Sequence, residues 1–400
     1  MLAGRETHVQ YEASGQDRQS TSPIPINRRK TGHHLRRRQF LANFRIADNS
    51  TACRNILVNM EREEAVELIG SFPLAEYRQA LLDHLAPSVR ITVINETEHE
   101  SGPPSSSYFG GQPSLPANMT WPNWDKTDRL QADIASIQKR FDAYVARAKD
   151  MPETIPGIHE RRSTGFRESL ARKREQLALG RIPQAFLGQI SLHEISAVAP
   201  MQGWPCEGIL AFFYDADQIW GFDPLDRGHC SILFYPEDAS ATPAEFPSGL
   251  ENDARFPKRF LKFIREWILP TYLELGNVEP VLWKTDEYRN LVYQLNSDGK
   301  PGQLIHRIGG YPQEAQGDMQ LECQLVTHGL YCGNQSGYKD PRRSELEKGA
   351  SDWKLVAQFD SDEAGLGWMW GDVGRVYFWA RKQDIEAADF GNSWAILQCG

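Results

Sequence analysis

Apolar and polar positions follow two periods along this chain. "EREEAVELIG", from Glu61, predicts a short helix with acids in its first turn, where the helix dipole favours them. Leu74, Tyr77, Leu81 and Leu85 then recur every three or four residues, the stripe of a half-buried helix, with Ser71 as its expected cap and Pro73 in its first turn. "SVRITVIN" (Ser88–Asn95) changes to period two, setting Val89, Ile91 and Val93 against polar neighbours as a strand does.

After the turn-rich stretch Tyr108–Asp125 the helical period returns. Leu130, Ile134, Ile137, Phe141, Tyr144 and Ala148 fall on one face of a helix of about twenty residues. A second, very basic helix ends at Gly180, with Phe166, Leu170 and Leu177 on its inner side. Together they read as a helical excursion that returns near its start. Strands are expected at Gln184–Leu192, Gly208–Asp215, Cys230–Pro236, Asp352–Asp360, Gly374–Arg381 and Ser393–Cys399. Helices are expected over Pro257–Leu275 and Asp286–Asn296.

Some of these strands repeat. Gly-Gly-x-Pro, then an apolar strand holding a glutamine, then a glycine-led strand ending in aromatics occurs twice. The first copy runs through Gly110, Gln189 and Gly208; the second runs through Gly309, Gln358 and Gly374. From first glycine to glutamine is 79 residues in one copy and 49 in the other, and the helical excursion accounts for the difference. The expected fold is therefore α+β: largely antiparallel sheets from two weakly repeated β-rich units packed as one body, with peripheral helices and an inserted helical hairpin. Residues 60–400 are expected to be one domain, with units at about 108–236 and 305–400 and the insertion at about 126–180.

Composition narrows the function classes. The longest apolar run, Ile209–Tyr214, is far short of the ~20 residues of a membrane-spanning helix. Six cysteines in 400 residues are too sparse for a disulfide framework, and no secretory signal pattern follows the N-terminus, so a cytoplasmic protein is expected. The net charge of −9 divides unevenly: residues 1–60 hold ten Lys/Arg and four Asp/Glu (+6), leaving 34 and 49 (−15) for the remainder. An acidic body repels phosphate backbones, so the folded part is not expected to bind nucleic acid. "RRKTGHHLRRRQF" (Arg28–Phe40) reads as part of a disordered basic tail over residues 1–59, or as residues upstream of a start at Met60.

The repeated residues also carry a resemblance. "GGQPSLP", "FLGQISL", "GILAFFYD", "IGGYPQ" and "GWMWGDVGRVYFWARKQD", in this order, resemble the YwqG-like family, bacterial proteins classed as a domain of unknown function. The resemblance spans roughly Leu85 to Gly400 and implies an α+β fold with a large antiparallel sheet system. It implies no catalytic residues, and the helical excursion is longer than the family's link at that place.

No motif of established chemistry stands out. There is no Gly-x-Ser-x-Gly elbow and no Walker-type loop, and "GLGWMWG" (Gly365–Gly371) precedes a strand rather than the helix a dinucleotide loop requires. Cys323, His328 and Cys332 lack a fourth metal ligand and would diverge on an extended strand, so no metal and no cofactor is expected. Asp318, Glu322, Asp360, Asp362 and Asp372 gather in the loops of the second copy, mainly as solvated turn acids. Gln189 and Gln358 read either as structural amides or as a pair lining a cleft between the units. Trp368 and Trp370, on a Gly-flanked loop beside Asp372, form the expected working surface.

The residues singled out for binding are thus Trp368, Trp370, Asp372, Asp360, Gln358 and Gln189. They point to a non-enzymatic binding or interaction module whose partner is another protein, with an inhibitor- or immunity-type role in keeping. The rival is a hydrolase or transferase using Asp360, Asp372, Glu322 and His306 in a cleft between the units. The two readings diverge on geometry: convergent acids in a pocket for the enzyme, exposed aromatics for the module.

Overall fold

Among the described residues, ten strands form one sheet in the computed structural model: β1 (Ala86–Val93), β2 (Tyr108–Phe109), β3 (Ala185–Ser191), β4 (Ile209–Tyr214), β5 (Cys230–Tyr235), β6 (Arg259–Ile268), β7 (His306–Ile308), β8 (Trp353–Asp360), β9 (Arg375–Arg381) and β10 (Trp394–Gln398). The structure describes residues 59–94, 105–237, 240–273, 275, 281–297 and 304–400. The basic cluster Arg28–Phe40, Cys53 and the rest of the tail up to residue 58 lie outside the described residues. Within the compact unit Asn55–Gly400 the strand order is β10-β9-β8-β7-β1-β6-β2-β3-β4-β5, antiparallel throughout. The fold is α+β.

That order is two four-strand units flanking a central β1–β6 pair. Each unit carries the same irregularities. The register slips between Phe186 and Gly188 in β3 and between Leu355 and Ala357 in β8. Gly110 and Gly111 (φ +62° and +70°) follow β2, and Gly309 and Gly310 (+65° and +69°) follow β7. Glycine is required at these turns for more than conformation. A Cβ at Gly110 would sit 2.2 Å from the Pro257 carbonyl oxygen, and one at Gly309 would sit 2.4 Å from the Met201 sulfur.

The expected helix over Pro257–Leu275 is a strand instead. Residues 259–268 form β6, paired over eight positions with β1. The apolar residues of "FLKFIREWIL" are needed on both faces: Leu261 joins the core inside the sheet, while its neighbour Phe260 packs against a core on the other face. Lys262, Arg265 and Glu266 mimic helical spacing only by chance. Glu266 is buried between Arg90 and Arg307, with Arg307 Nη2 at 3.2 Å, which places its charge where only a strand could deliver it. Ser71 is likewise not a cap. It ends helix α1 (Arg62–Ser71) and donates to the Leu68 carbonyl, and α2 (Arg78–His84) starts later, after a single tight turn.

Helices pack against both faces of the sheet. α1, α2 and α6 (Asp286–Ser297) close a core over the β1–β6 pair. α5 (Leu192–Val198) follows β3, and α7 (Gln320–Thr327) covers β8–β10. The long helices α3 (Thr127–Ala148) and α4 (Ile158–Leu179) form the expected hairpin between β2 and β3. The sheet itself curls toward a barrel: Trp220 accepts Leu397 N–H at 3.1 Å and Gly221 accepts the Trp394 indole at 2.8 Å, joining the β4–β5 loop to edge strand β10. Its concave side is the largest core, with Phe109, Phe212, Phe359 and Phe378 drawn from both units.

Candidate functional site

Most residues singled out in the sequence lie on or beside the β8–β9 connection, residues 361–374. This segment turns inward. Ser361 Oγ donates to the Gly374 carbonyl (2.8 Å) and accepts Trp370 N–H (2.9 Å), Asp362 accepts Gly365 N–H, and Gln218 accepts Gly371 N–H. Gly367 and Gly371 take positive φ, which lets the chain fold back. Trp368 and Trp370 are 0% and 2% exposed. Trp368 contacts Phe109 from the other unit at 4.9 Å between centroids, and Trp370 contacts Tyr214 at 5.9 Å. The expectation of an exposed stacking surface is thereby corrected. Burying two indoles stabilises the fold at roughly 25 cal/mol per Å², and the glycines that suggested a free loop are what allow the burial. Only Asp372 of this group is exposed.

Asp360 is buried and fully engaged. Its Oδ2 accepts Ile305 N–H (3.1 Å) and pairs with Arg375 Nε (3.3 Å), and its Oδ1 accepts Ser361 N–H (3.0 Å). Burial raises its carboxyl above the usual range, with Arg375 partly opposing. The Asp360 N–H donates to His306 Nδ1 at 3.1 Å, so the neutral ring carries its proton on Nε2. Burial, aided by the charge of Arg375, pushes the His306 pKa down to about 3. His306 and Asp360 therefore meet through the backbone amide, with the imidazole neutral and the carboxylate turned to Arg375. This is not an acid–base pair.

Gln189 and Gln358 are structural amides on the outer face. Gln189 accepts Ser114 N–H and donates to the Ser106 carbonyl; Gln358 accepts Gln313 N–H (2.8 Å) and donates to the Ile305 carbonyl (3.0 Å). Each pins the segment after its Gly-Gly turn, rather than lining a cleft. Glu322 belongs to a third place, on α7 beside Tyr338, where burial pushes its carboxyl up to about 7. Cys323 also sits on α7, and His328 Nδ1 lies 2.6 Å from the Gln324 carbonyl. Among the described residues no group of three His, Cys, Asp or Glu side chains could hold a metal ion, and no helix is long and apolar enough to cross a membrane.

The densest charged constellation is one that the sequence pattern does not reveal. Lys126, 1% exposed, reaches Asp215 (2.9 Å) and Asp217 (2.8 Å) in the β4–β5 loop. Arg129 on α3 joins Asp133, Asp223 and Asp226, and Lys173 with Gln176 on α4 joins Asp217. Burial raises Asp217 in isolation, yet Lys126 and Lys173 override it and hold the carboxyl well below its ordinary range. Asp226 goes the other way, pushed by burial up to about 7 despite Arg129. This network clamps the base of the helical hairpin to the sheet.

Beyond the clamp, the hairpin keeps to itself. Among the described residues, the ring contacts, ion pairs and side-chain hydrogen bonds of residues 138–168 all stay within it: Phe141 stacks on Phe166, Tyr144 bonds His159, and Arg162 and Arg167 lie over aromatic rings. At 22 residues each, the helices are about 33 Å long. Val145, Met151 and Ile155, near the tip, are 40–54% exposed.

A family model for a domain of unknown function, DUF1963, matches residues 107–399. The chain belongs to the DUF1963 family. No curated protein matches it. The DUF1963 match begins one residue before β2 and closes after β10, so it holds both four-strand units and the hairpin. It leaves out β1, which nevertheless pairs between β6 and β7 near the middle of the sheet.

Proposed function

We propose that this DUF1963 protein is a binding module whose working element is the α3–α4 arm, with the curled sheet as its mount. One observation carries the reading. The arm is clamped at its base by buried ion pairs, while its distal half presents three apolar side chains to solvent and, among the described residues, makes no ring contact, ion pair or side-chain hydrogen bond outside the arm. Three exposed apolar side chains gathered at the end of one projecting element suit a contact surface. The partner is another protein, and an inhibitor- or immunity-type role suits a rigid projecting element. The rival, a hydrolase or transferase, has little support from the acids: Asp360 is tied to Arg375, Asp372 is exposed, and Glu322 lies beside Tyr338.

Three further points belong to the same reading. The residues resembling the YwqG-like family favour a kinship with those bacterial proteins, and the sparse cysteines favour a cytoplasmic setting. Residues 60–400 act as one domain that arose by internal duplication, a view supported by the matching bonds of Gln189 and Gln358 and the matching slips in β3 and β8.

Photo-crosslinking tests the proposal. A benzophenone amino acid replacing Ile155 in the native cell should give a discrete protein adduct. The same label at exposed Lys354, on the sheet, should give none. Equal labelling from both positions, or no adduct from Ile155, refutes the arm as the working element.

A further inference from the structure

A second feature, independent of the arm, lies inside the curled sheet. His306, Trp368 and Trp370 are each at most 2% exposed, and their rings form a row, 5.7 Å from His306 to Trp368 and 5.5 Å from Trp368 to Trp370. Each ring carries one N–H. On His306 it is fixed at Nε2, because Nδ1 accepts Asp360 N–H. None of the three N–H groups has an acceptor among the described residues.

Buried donors are seldom left in that state. Elsewhere in this protein the indoles of Trp121, Trp353 and Trp394 each reach an oxygen at 2.8–2.9 Å. Single unpartnered indoles occur as well, at Trp267, Trp283 and Trp379. What sets this place apart is that three such groups adjoin and all have the same polarity. Three donors without an acceptor repel a metal ion or an amine and call for oxygen. The surrounding walls are Phe109, Phe256 and Phe359, whose rings lie 4.9–5.9 Å from that of Trp368.

We propose that this row of donors binds a small organic carboxylate, the carboxylate oxygens accepting from His306, Trp368 and Trp370 and the apolar part resting on Phe109 and Phe256. A carboxylate offers two oxygens with about four lone-pair positions, enough for three donors, where a single carbonyl offers two.

Indole N–H resonances report directly on this site. The full chain, labelled with ¹⁵N and dialysed free of carboxylates, is titrated with acetate and with benzoate, and with inorganic phosphate for comparison. Trp368→Phe and Trp370→Phe assign the two signals while keeping a ring in place. Saturable downfield movement of both signals with a carboxylate is expected. Removing one donor should weaken binding roughly ten- to hundredfold, the value of one hydrogen bond to a charged group. If Trp368→Phe does not fold, Trp370→Phe and His306→Phe carry the same comparison. Signals that ignore both carboxylates, that respond only to phosphate, or that respond undiminished in the variants overturn the proposal.

Discussion

Gln189 and Gln358 make the same pair of backbone hydrogen bonds at the same place in the two halves of the sheet. Each carboxamide oxygen accepts an N–H from the segment after a Gly-Gly turn, and each carboxamide nitrogen donates to a carbonyl just before the neighbouring short strand. Both side chains are fully buried. Replacing either by alanine strands a buried amide and a buried carbonyl, each worth about 1–3 kcal/mol. Gln189→Ala and Gln358→Ala should therefore each lose about 2–4 kcal/mol in urea unfolding. The pair of substitutions should be additive to within about 0.5 kcal/mol, because they share no partner. A cleft-lining role predicts near-neutral effects on stability instead.

Trp368 gives a second test, of core against surface. As a core residue, Trp368→Ala should cost about 3–5 kcal/mol, and Trp368→Phe considerably less. Fluorescence quenching offers a direct reading: iodide should leave the emission of Trp368 and Trp370 untouched in the native protein. A loss below about 1 kcal/mol for the alanine variant would return this indole to the surface.

Period and repeat made much of this legible from sequence. β3, β4, β8 and β9 follow from apolar runs of strand length, and the paired glutamines stood out because amides in such runs need partners. The misreadings have physical causes. β6 looks helical because Lys262, Arg265 and Glu266 fall at helical spacing, and only the remote Arg90 and Arg307 explain a buried Glu266. β7 is three residues long, too short for any period to show. Trp368 and Trp370 sit between glycines, a context as compatible with inward as with outward turning. The clamp beneath the arm joins Lys126 to Asp215 across 89 residues, a separation that no local pattern spans.

Protonation should set the acid limit of stability, with two sets of groups opposing each other. Burial pushes His306 to about 3 and His229 to about 4. Between these values and about 6.5 the unfolded chain binds more protons, so stability falls as pH falls through that window. Glu322, raised to about 7, has the opposite sign: the folded chain binds more protons between about 4.5 and 7, and its contribution is lost as pH rises through 7. Glu322→Gln should therefore steepen the rise of stability between pH 5 and 7, by roughly 1–2 kcal/mol across that range. Denaturant midpoints for both proteins at several pH values decide it. Parallel curves would mean that Glu322 titrates normally.

The clamp predicts an asymmetry between breaking and replacing it. Lys126 bridges Asp215 and Asp217 at the sheet end of the clamp, and burial already raises the Asp215 carboxyl against the pull of Lys126. Lys126→Met alone leaves Asp215 buried without its cation, which costs about 3–5 kcal/mol. Adding Asp215→Leu removes the stranded charge and should recover most of that loss, since an apolar pair of similar volume is often neutral beside a buried ion pair. Hydrogen exchange separates the arm from the body in the same experiment. In the single variant, amides at the base of α3 and α4 should exchange faster, while those of the central strands β1 and β6 change only with global stability. If the base exchanges no faster than the sheet, the network is a passive surface of the core, and the arm takes its rigidity from the Phe141–Phe166 and Tyr144–His159 contacts between its own helices.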